Sequence, residues 1–556
     1  MAATRDGMSK PGDDIDRLAL RISLADIDEQ FEKILQKSLV FILKYLSKYE
    51  DHRKKLMELL GDVTRRLRCR PNIQVPVHEL LLSYNDPSNS VFLVNFSHMY
   101  IRLGFPRLPL RQKIKLFPVL FASLSDDKPI CQRDGLLHLV LPVVDSLTNE
   151  LAPRDPCFNE LIYQRRYITD FFSLVMLLPY NFQKLVRSDR SDPTIPDGYN
   201  SFDLGRMLHE QFTCITSAEE LEKYKVGIMT FYTRRFFPAE ESIIPVLFGY
   251  GDSRHSVVSI AAKELRTLSI LVDWEDESLL NRLLAWYLGR RRDFDPKGRN
   301  EPRRPLSPNM RIKLGHYLMR SRITFPGPLA SSLVEAAMLA LDPSSLAQSN
   351  FLSNSGQKCT ANCIHGTIEN GSTSDNDSAT YVQTTSKAQT EETIPASTPG
   401  NPTCSSTSVI QQRRLAEHGL DLLSHLINNV TALNGSASVA ALRCLINFAY
   451  ERTSDELTYV RARAFEILSR FLARDPNYLL KDPGQLPRLF DVLSEENPNE
   501  LKLAAAHCLR RLAVALHSAQ KQNCLSIRGH LVKLERLLYE NIEKVFFNSR
   551  YIFENL

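Results

Sequence analysis

Apolar residues recur at steps of three and four along most of the chain, which is the spacing of one helix face. Residues 26–49 show the pattern clearly, with apolar positions at Phe31, Ile34, Leu35, Leu39, Ile42, Leu43 and Leu46. A second stretch of the same kind, KLMELLGDVTRRL, follows within a few residues. The pattern predicts two helices joined by a short turn, because the alternation typical of strands is absent.

Turn-forming residues interrupt this pattern through the N-terminal third. Breaks that contain Asp, Asn, Pro or Ser lie at residues 84–90, 124–129 and 151–156. Such residues cap helices or begin turns. Helix pairs repeated along one chain predict an all-α fold, an α-solenoid (superhelix) of HEAT/armadillo-like helix pairs.

One register of acidic, apolar and small residues occurs three times. Positions five, nine and thirteen after Asp252, Asp455 and Glu496 are Val257, Ala261 and Leu265; Val460, Ala464 and Leu468; and Leu501, Ala505 and Leu509. The last two copies begin 41 residues apart, within the roughly 40–47-residue period of HEAT and armadillo repeats. We interpret Asp252 and Ser253 as a helix start, and Ala261 and Ala464 as points where a neighbouring helix comes close.

Composition and charge narrow the function classes. The chain is 43% apolar and 24% charged, and a net charge of +5 is small for 556 residues. It implies no general preference for nucleic acid or anionic membranes. The most apolar stretch, residues 171–180, is too short to span a bilayer and predicts a buried helix. Ten cysteines without paired spacing and a polar N-terminus indicate a cytoplasmic and nuclear protein with reduced thiols.

Residues 251–255 place Gly-Asp-Ser beside a histidine, as some serine hydrolases do. Ser253 and His255 are two residues apart, a spacing that does not put both side chains on one helix face. Neither a preceding strand nor a Gly-x-Ser-x-Gly motif accompanies them. We interpret Ser253 as part of a turn between helices, with a serine hydrolase as the less favoured alternative. The chain is predicted to be no enzyme and to need no cofactor.

Histidines and cysteines give no convincing metal site. Cys359, Cys363 and His365 are close together, but Cys404 is far away, whereas a structural zinc site needs four ligands, usually from two tight pairs. Free cysteines in a linker are the favoured interpretation. Three further histidines stand among apolar helix residues and are expected to be ordinary, partly buried side chains: His98, His138 and His507.

The stretch 289–308, called the basic segment below, has seven basic residues against three acidic ones and is rich in Pro and Gly. A solvated loop is the simplest interpretation. Docking on an acidic partner surface and nuclear targeting are the functional alternatives, and Ser307-Pro308 suits a phosphorylation that would tune either. The residues predicted to contact a partner are Arg290, Arg291, Arg292, Lys297, Arg303 and Arg304.

Several stretches resemble one family. Residues 73–121, IQVPVHELLLSYNDPSNSVFLVNFSHMYIRLGFPRLPLRQKIKLFPVLF, are similar to the N-terminal region of the very large HEAT-repeat proteins that serve as proteasome adapters and scaffolds. The same holds for FFSLVMLLPY, LEKYKVGIMTF, DSRHSVVSIAAKELR with LVDWED, and RIKLGHYLMRSR, and again for residues 461–509. The similarity covers most of residues 15–340 and 412–516 in collinear order.

This resemblance implies an adaptor that binds proteasome core and regulatory particle subunits, helps hold the 26S assembly together and links it to other components such as vesicle or motor proteins. It implies no nucleic-acid partner. An importin-type transport receptor, also a HEAT solenoid, is the alternative.

Four regions are expected. Residues 1–14 are predicted to be a disordered N-terminus and 15–342 a first solenoid block. Residues 343–411 read as a disordered low-complexity insertion, because no leucine occurs between Leu352 and Leu415. Residues 412–556 should add further repeats and appear truncated, because NSRYIFENL stands where a polar cap belongs. About eleven repeats of roughly 42 residues are expected.

Overall fold

The computed structural model describes residues 11–48, 51–146, 164–183, 185, 195–209, 214–290, 302–323, 329–341, 403–429, 442, 446–447, 449–474, 491–492, 497–521, 532 and 536. Within these ranges the regular elements are helices, and no strand is assigned. None of the described helices is long and apolar enough to cross a membrane.

The helices follow one another with short connections where both neighbours are described. In chain order they are α1 (Pro11–Ser23), α2 (Asp28–Lys48), α3 (Arg53–Cys69), α4 (Val77–Asn85), α5 (Val91–Gly104), α6 (Leu110–Ala122), α7 (Ile130–Val140), α8 (Gln164–Leu177), α9 (Ser201–Leu208), α10 (Ala218–Thr233), α11 (Ala239–Tyr250), α12 (His255–Leu271), α13 (Glu277–Leu288), α14 (Pro308–Leu318), α15 (Ala330–Leu341), α16 (Thr403–Asn428), α17 (Thr458–Leu472) and α18 (Asn499–Lys521).

Helices that pack together are near neighbours in the chain. Helix α11, for example, contacts α8, α10, α12 and α14, and α17 lies between α16 and α18. Several side-chain hydrogen bonds between helices join residues 42 or 43 positions apart: Arg70–Asp28, Arg290–Ser332, Arg413–Glu456 and Arg463–Asp421. Contacts limited to the adjacent repeat are the defining property of a solenoid. The chain is an all-α solenoid, as its sequence predicts.

The predicted helix over residues 26–49 is α2, which begins two residues later and ends one residue earlier than predicted. Phe31, Leu35 and Leu39 on its predicted apolar face are fully buried, whereas Phe41 on another face is 52% exposed. The predicted break at 84–90 falls between α4 and α5, and the break at 124–129 falls between α6 and α7. The stretch 171–180 includes the buried half of α8. The break at 151–156 lies outside the described residues.

The three-copy register holds in the structure. Ala261, Ala464 and Ala505 are fully buried on α12, α17 and α18. At Ala261 the reason for a small side chain is visible, because a Cβ added to Gly249 of α11 would lie 3.1 Å from the Ala261 Cβ. The two helices therefore touch almost backbone to backbone at this point.

Enlarging Ala261 is expected to push α11 and α12 apart. Ala261→Leu should lower the stability of this helix pair by about 1–3 kcal/mol, because extra methylenes in a closely packed contact force side chains and backbone to move. Ala464→Leu is expected to act similarly on α17. Ser259→Leu, at an exposed position of α12, is the matched control. Melting temperatures of the three variants measure the effect, and parental melting of Ala261→Leu would mean that this contact is not close.

Three predicted boundaries move. Helix α1 begins at Pro11, inside the predicted disordered stretch 1–14, because proline fits the first position of a helix. Helix α16 begins at Thr403, inside the predicted insertion 343–411; leucine spacing marks only the packed part of a helix and misses its polar first turns. Helix α12 begins at His255, three residues after Asp252. The rest of the predicted insertion and the end of the chain after residue 536 lie outside the described residues.

Candidate interaction surface

Asp252 lies in the turn between α11 and α12 and makes three polar contacts there. Its Oδ1 accepts hydrogen bonds from the Arg254 backbone N–H at 2.8 Å and from the Tyr180 hydroxyl at 3.0 Å. Its Oδ2 lies 2.8 Å from the ammonium nitrogen of Lys225 on α10, and the Asp252 and Lys225 side chains are 3% and 2% exposed. Asp252 thus fastens the turn to the preceding repeat, and the helix itself starts three residues later than the predicted start at Asp252.

The same contacts bear on the catalytic alternative for this stretch. Ser253 and His255 are both exposed, and the neighbouring Asp252 carboxylate is already bound to Lys225, Tyr180 and the backbone. A nucleophilic serine needs a base that a third group orients. The arrangement supplies a structural turn, as the sequence predicts for Ser253.

The basic segment is held together at its neck, the point where residues 289 and 303 meet. Gly289 ends α13 in the left-handed conformation, with φ of 67°, and its carbonyl accepts a hydrogen bond of 3.0 Å from the Arg303 backbone N–H. Arg290 pairs with Glu335 and donates a hydrogen bond of 2.7 Å to Ser332, both on α15. Arg304 is exposed, and its backbone N–H donates a hydrogen bond to the Tyr199 carbonyl. Arg291, Arg292 and Lys297 lie outside the described residues.

Arg303 was predicted to contact a partner, but its side chain is buried. Its side chain is only 6% exposed, it pairs with the Asp203 carboxylate, and its guanidinium carbon lies 4.5 Å from the centroid of the Trp286 ring. Arg303 therefore belongs to the interior and not to an exposed basic surface. The prediction is corrected for this residue, because a buried carboxylate 100 positions earlier takes up its charge.

Asp203 belongs to a larger buried group, called the arginine–aspartate cluster below. Arg206 on α9 binds Asp134 of α7 through two hydrogen bonds of 2.8 and 2.9 Å, and its Nη1 lies 3.4 Å from Asp170 of α8 and 3.3 Å from Asp203. All four side chains are 7% exposed or less. Burial opposes the charge on Arg206, but Asp134 and its neighbours raise the pKa of the guanidinium well above its ordinary value. The cluster ties three successive helices together.

The predicted histidines divide into two kinds. His98 and His138 are buried, and each has its Nε2 3.1 Å from a backbone carbonyl, of Gln132 and Arg206 respectively. Burial lowers the pKa of His98 to about 4 and also lowers the pKa of His138. His507 is exposed on α18, so the expectation of a partly buried side chain is wrong there: it faces away from the side of the helix that carries Leu501 and Ala505.

A fourth histidine, His418, is also buried, which the sequence did not predict. His418 on α16 is 2% exposed, and its ring lies where a Cβ at Gly315 of α14 would be. Its ring centroid is 5.6 Å from that of His316 and 6.3 Å from that of Tyr287. Neither ring nitrogen has a hydrogen-bond partner among the described residues. Burial, reinforced by the nearby charges of His316 and Arg311, lowers the pKa of His418 to about 3.

His418 is expected to make the α14–α16 contact acid-sensitive. Its pKa lies below the ordinary 6.5, so between pH 6.5 and about 3 only the unfolded chain takes up the proton. The free energy of unfolding therefore decreases as the pH falls through this window, by about 1.4 kcal/mol per pH unit. His418→Phe should remove that slope, and His507→Phe, at an exposed site, should not. Hydrogen exchange of α14 and α16 against pH measures it; equal slopes in the parent and His418→Phe would refute the assignment.

Cysteines form no metal site among the residues that the structure describes. Cys69 and Cys131 are exposed, Cys508 is buried, and no group of three or more potential ligands occurs in the described ranges. Cys359, Cys363 and His365 lie outside those ranges. The backbone of Cys404 is part of α16.

Two curated relatives share sequence with this chain. The human protein named proteasome adapter and scaffold protein ECM29 is 31% identical over 344 residues, which is 56% of this chain and 18% of that protein. The proteasome-associated protein ECM29 homolog of Drosophila melanogaster is 30% identical over 316 residues, 55% of this chain and 16% of that protein. The chain thus spans less than a fifth of the length of either relative.

Among solved structures, a crystal structure of Kap121p bound to Nup53p aligns with 96% of this chain and 50% of its own, at 11% identity and a TM-score of 0.25. A score that low carries no argument about function. The family described as proteasome component ECM29, N-terminal, matches residues 15–553. Nearly the whole solenoid, from α1 onward, falls inside that match, and the chain therefore belongs to the ECM29 family.

Proposed function

We propose that this chain acts as an adaptor on the proteasome and works by binding rather than by catalysis. The observation that carries the proposal is the family match over residues 15–553. The printed names of the human and Drosophila relatives, which call those proteins an adapter, a scaffold and proteasome-associated, point the same way.

The solenoid suits this role because it exposes a long surface for its mass. Stacked helix pairs give an extended platform on which two bodies can be held at once. Each contact is weak by itself, but the first one raises the effective concentration of the second body near the second site. On this proposal the chain helps to hold core and regulatory particles together in the cytoplasm and nucleus, and further contacts link the assembly to vesicle or motor proteins.

The basic segment without Arg303 is the proposed electrostatic contact. Arg290, Arg291, Arg292, Lys297 and Arg304 are its members after the removal of Arg303. Gly289 and Arg303 hold the neck of the segment closed by a backbone hydrogen bond, which supports presentation of a basic loop to an acidic partner surface.

The absence of catalysis is part of the proposal. The polar groups that would attract attention as an active site, Asp252 with Lys225 and Arg206 with its aspartates, are buried and saturated with protein partners. In this proposal such pairs hold repeats together and have no role towards a substrate.

Affinity purification of the full 556-residue chain followed by mass spectrometry tests the proposal. We expect proteasome core and regulatory subunits in stoichiometric amounts. Glutamate at Arg291, Arg292, Lys297 and Arg304 together should reduce their recovery, while Arg234→Glu, on a distant turn, should not. Recovery of a small GTPase with nuclear pore proteins in place of the proteasome would support the import-receptor alternative and overturn the proposal.

A further inference from the structure

A groove runs between α3 and α5 in the first repeats. It has a volume of about 490 Å³, and its lining comes from Met57, Leu60, Gly61, Thr64, Arg65, Arg68 and Cys69 of α3 and from Phe96 and Met99 of α5. The Tyr100 hydroxyl of α5 bridges to α3 beside the groove, 3.0 Å from the Thr64 hydroxyl and 3.3 Å from the Leu60 carbonyl oxygen. The two helices are therefore fixed at a set separation, with open space above the bridge.

Gly61 is the reason that the space is open. A Cβ at this position would meet nothing within 4 Å, and the residue has no positive φ. Neither crowding nor backbone conformation requires glycine here, although glycine inside a helix costs roughly 0.5–1 kcal/mol relative to alanine. What the missing side chain provides is depth: it lets another backbone approach α3 opposite Phe96 and Met99.

The groove is apolar at its floor and basic at its rim. Met57, 40% exposed, faces the partly buried Phe96 and Met99, and flexible methionines adapt to different apolar partners. Helix α3 carries six basic and two acidic residues. Arg68 has no ion-pair partner among the described residues, and the Arg65–Asp62 pair is 78% and 60% exposed, so it holds Arg65 only weakly.

These features select a helix as the occupant. The backbone groups of α3 and α5 are paired within their own helices, so an extended peptide would find no edge to pair with. The α5 wall of the groove carries the apolar side chains Phe96 and Met99, three positions apart, and the α3 wall carries Met57 and Leu60 at the same spacing. An amphipathic helix laid between two such rows buries residues spaced i, i+4, i+7 and i+11.

We propose that this groove binds an amphipathic helical segment of a partner protein, with large apolar side chains on one face and glutamate or aspartate along its flanks. The apolar face would lie on Met57, Phe96 and Met99, its backbone would approach Gly61, and its acidic flank would meet Arg65 and Arg68. The inference goes beyond proteasome association and holds whichever protein carries the segment.

A designed peptide tests the groove directly. The probe is a fluorescein-labelled peptide of about 18 residues with leucine or phenylalanine at i, i+4, i+7 and i+11 and glutamate on its flanks. The control peptide has lysine in place of each glutamate. Fluorescence anisotropy with the full chain should give micromolar binding of the acidic peptide, weakened by added salt, and binding of the lysine peptide weaker by about tenfold or more.

Variants of the chain locate the binding. Gly61→Trp should fill the groove and weaken binding of the acidic peptide by about tenfold or more, and Arg68→Glu should weaken it by reversing the rim charge. Gly61→Ala adds only a methyl group and should keep binding. Gly205→Trp places the same indole at another helical glycine whose Cβ would meet nothing within 4 Å, and it should also keep binding. All variants are first compared with the parent by circular dichroism.

Several outcomes would overturn the proposal. These are equal binding of the two peptides, no binding of the acidic one, and unchanged binding by a folded Gly61→Trp variant. Self-association of the parent that Gly61→Trp abolishes, seen by sedimentation, would assign the groove to a second copy of this chain instead. The assay contains no proteasome, so its failure is distinct from failure of the affinity purification.

Discussion

Arg206→Met is expected to lower the local stability around α7, α8 and α9 by about 3–5 kcal/mol. The substitution keeps an apolar stem but removes the cation that binds both Asp134 and Asp170. Both buried carboxylates then lose a cationic partner, and removing one partner of a buried ion pair costs an amount of this order. Hydrogen exchange is the suitable measurement, because in a solenoid the loss is confined to neighbouring repeats.

The control for Arg206 is Arg290→Ala. Arg290 also contacts a carboxylate of another helix, but its side chain and that of Glu335 are 43% and 38% exposed, so its loss should cost less than about 1 kcal/mol. The double variant Arg206→Met with Asp134→Leu should recover part of the loss, because it removes one stranded charge. Equal effects of Arg206→Met and Arg290→Ala would show that the arginine–aspartate cluster contributes no more than an exposed pair.

Asp252→Ala is expected to have an effect of similar size, about 3–5 kcal/mol, on the α10–α12 region. The change takes the carboxylate away from the buried Lys225 ammonium, which keeps its hydrogen bond to the Leu178 carbonyl oxygen. It also removes the acceptor of the Tyr180 hydroxyl and frees the turn before α12. Burial already lowers the pKa of Lys225, and Asp252 opposes that shift. Without the carboxylate, the lysine should therefore lose its proton more readily, and stability of the variant should rise with pH.

Ser253→Ala is the matched control one residue away. Its side chain is exposed, so we expect a change of at most about 0.5 kcal/mol and unchanged binding to partners. Melting curves of the two variants, with proteasome recovery beside them, make the comparison. A folded Ser253→Ala protein that lost an activity which Asp252→Ala retained would contradict the structural interpretation of this turn.

The helices and their register were predictable because burial imposes the helical period on the sequence. Leu35 and Leu39 had to face a neighbour, and Ala261 had to be small where Gly249 comes close. Polar partnerships were not predictable in the same way. Lys225 and Asp252 are 27 residues apart and Arg303 and Asp203 are 100 apart, so their pairing depends on how the repeats stack.

Two neighbouring residues illustrate the limit. Arg303 and Arg304 are the same residue type in the same basic segment, yet one is buried and the other is exposed. Composition assigns both residues to the surface. Only the positions of Asp203 and Trp286, which contact Arg303, explain why one of the two is buried. A usable signal did exist for Lys225: a lysine among the apolar residues of α10 indicates a buried partner, since an unpaired buried ammonium is too costly.

The hydrogen bonds that link neighbouring repeats have a mechanical consequence. A load applied at the two ends of the stack passes through every interface in series, so the compliances of the interfaces add. We expect the interfaces that contain the buried ion pairs of Arg206 and Lys225 to be stiff. Bending should then concentrate at interfaces without buried ion pairs. On the adaptor role proposed above, we expect two bodies attached at opposite ends to change their separation through small rotations at the more compliant interfaces.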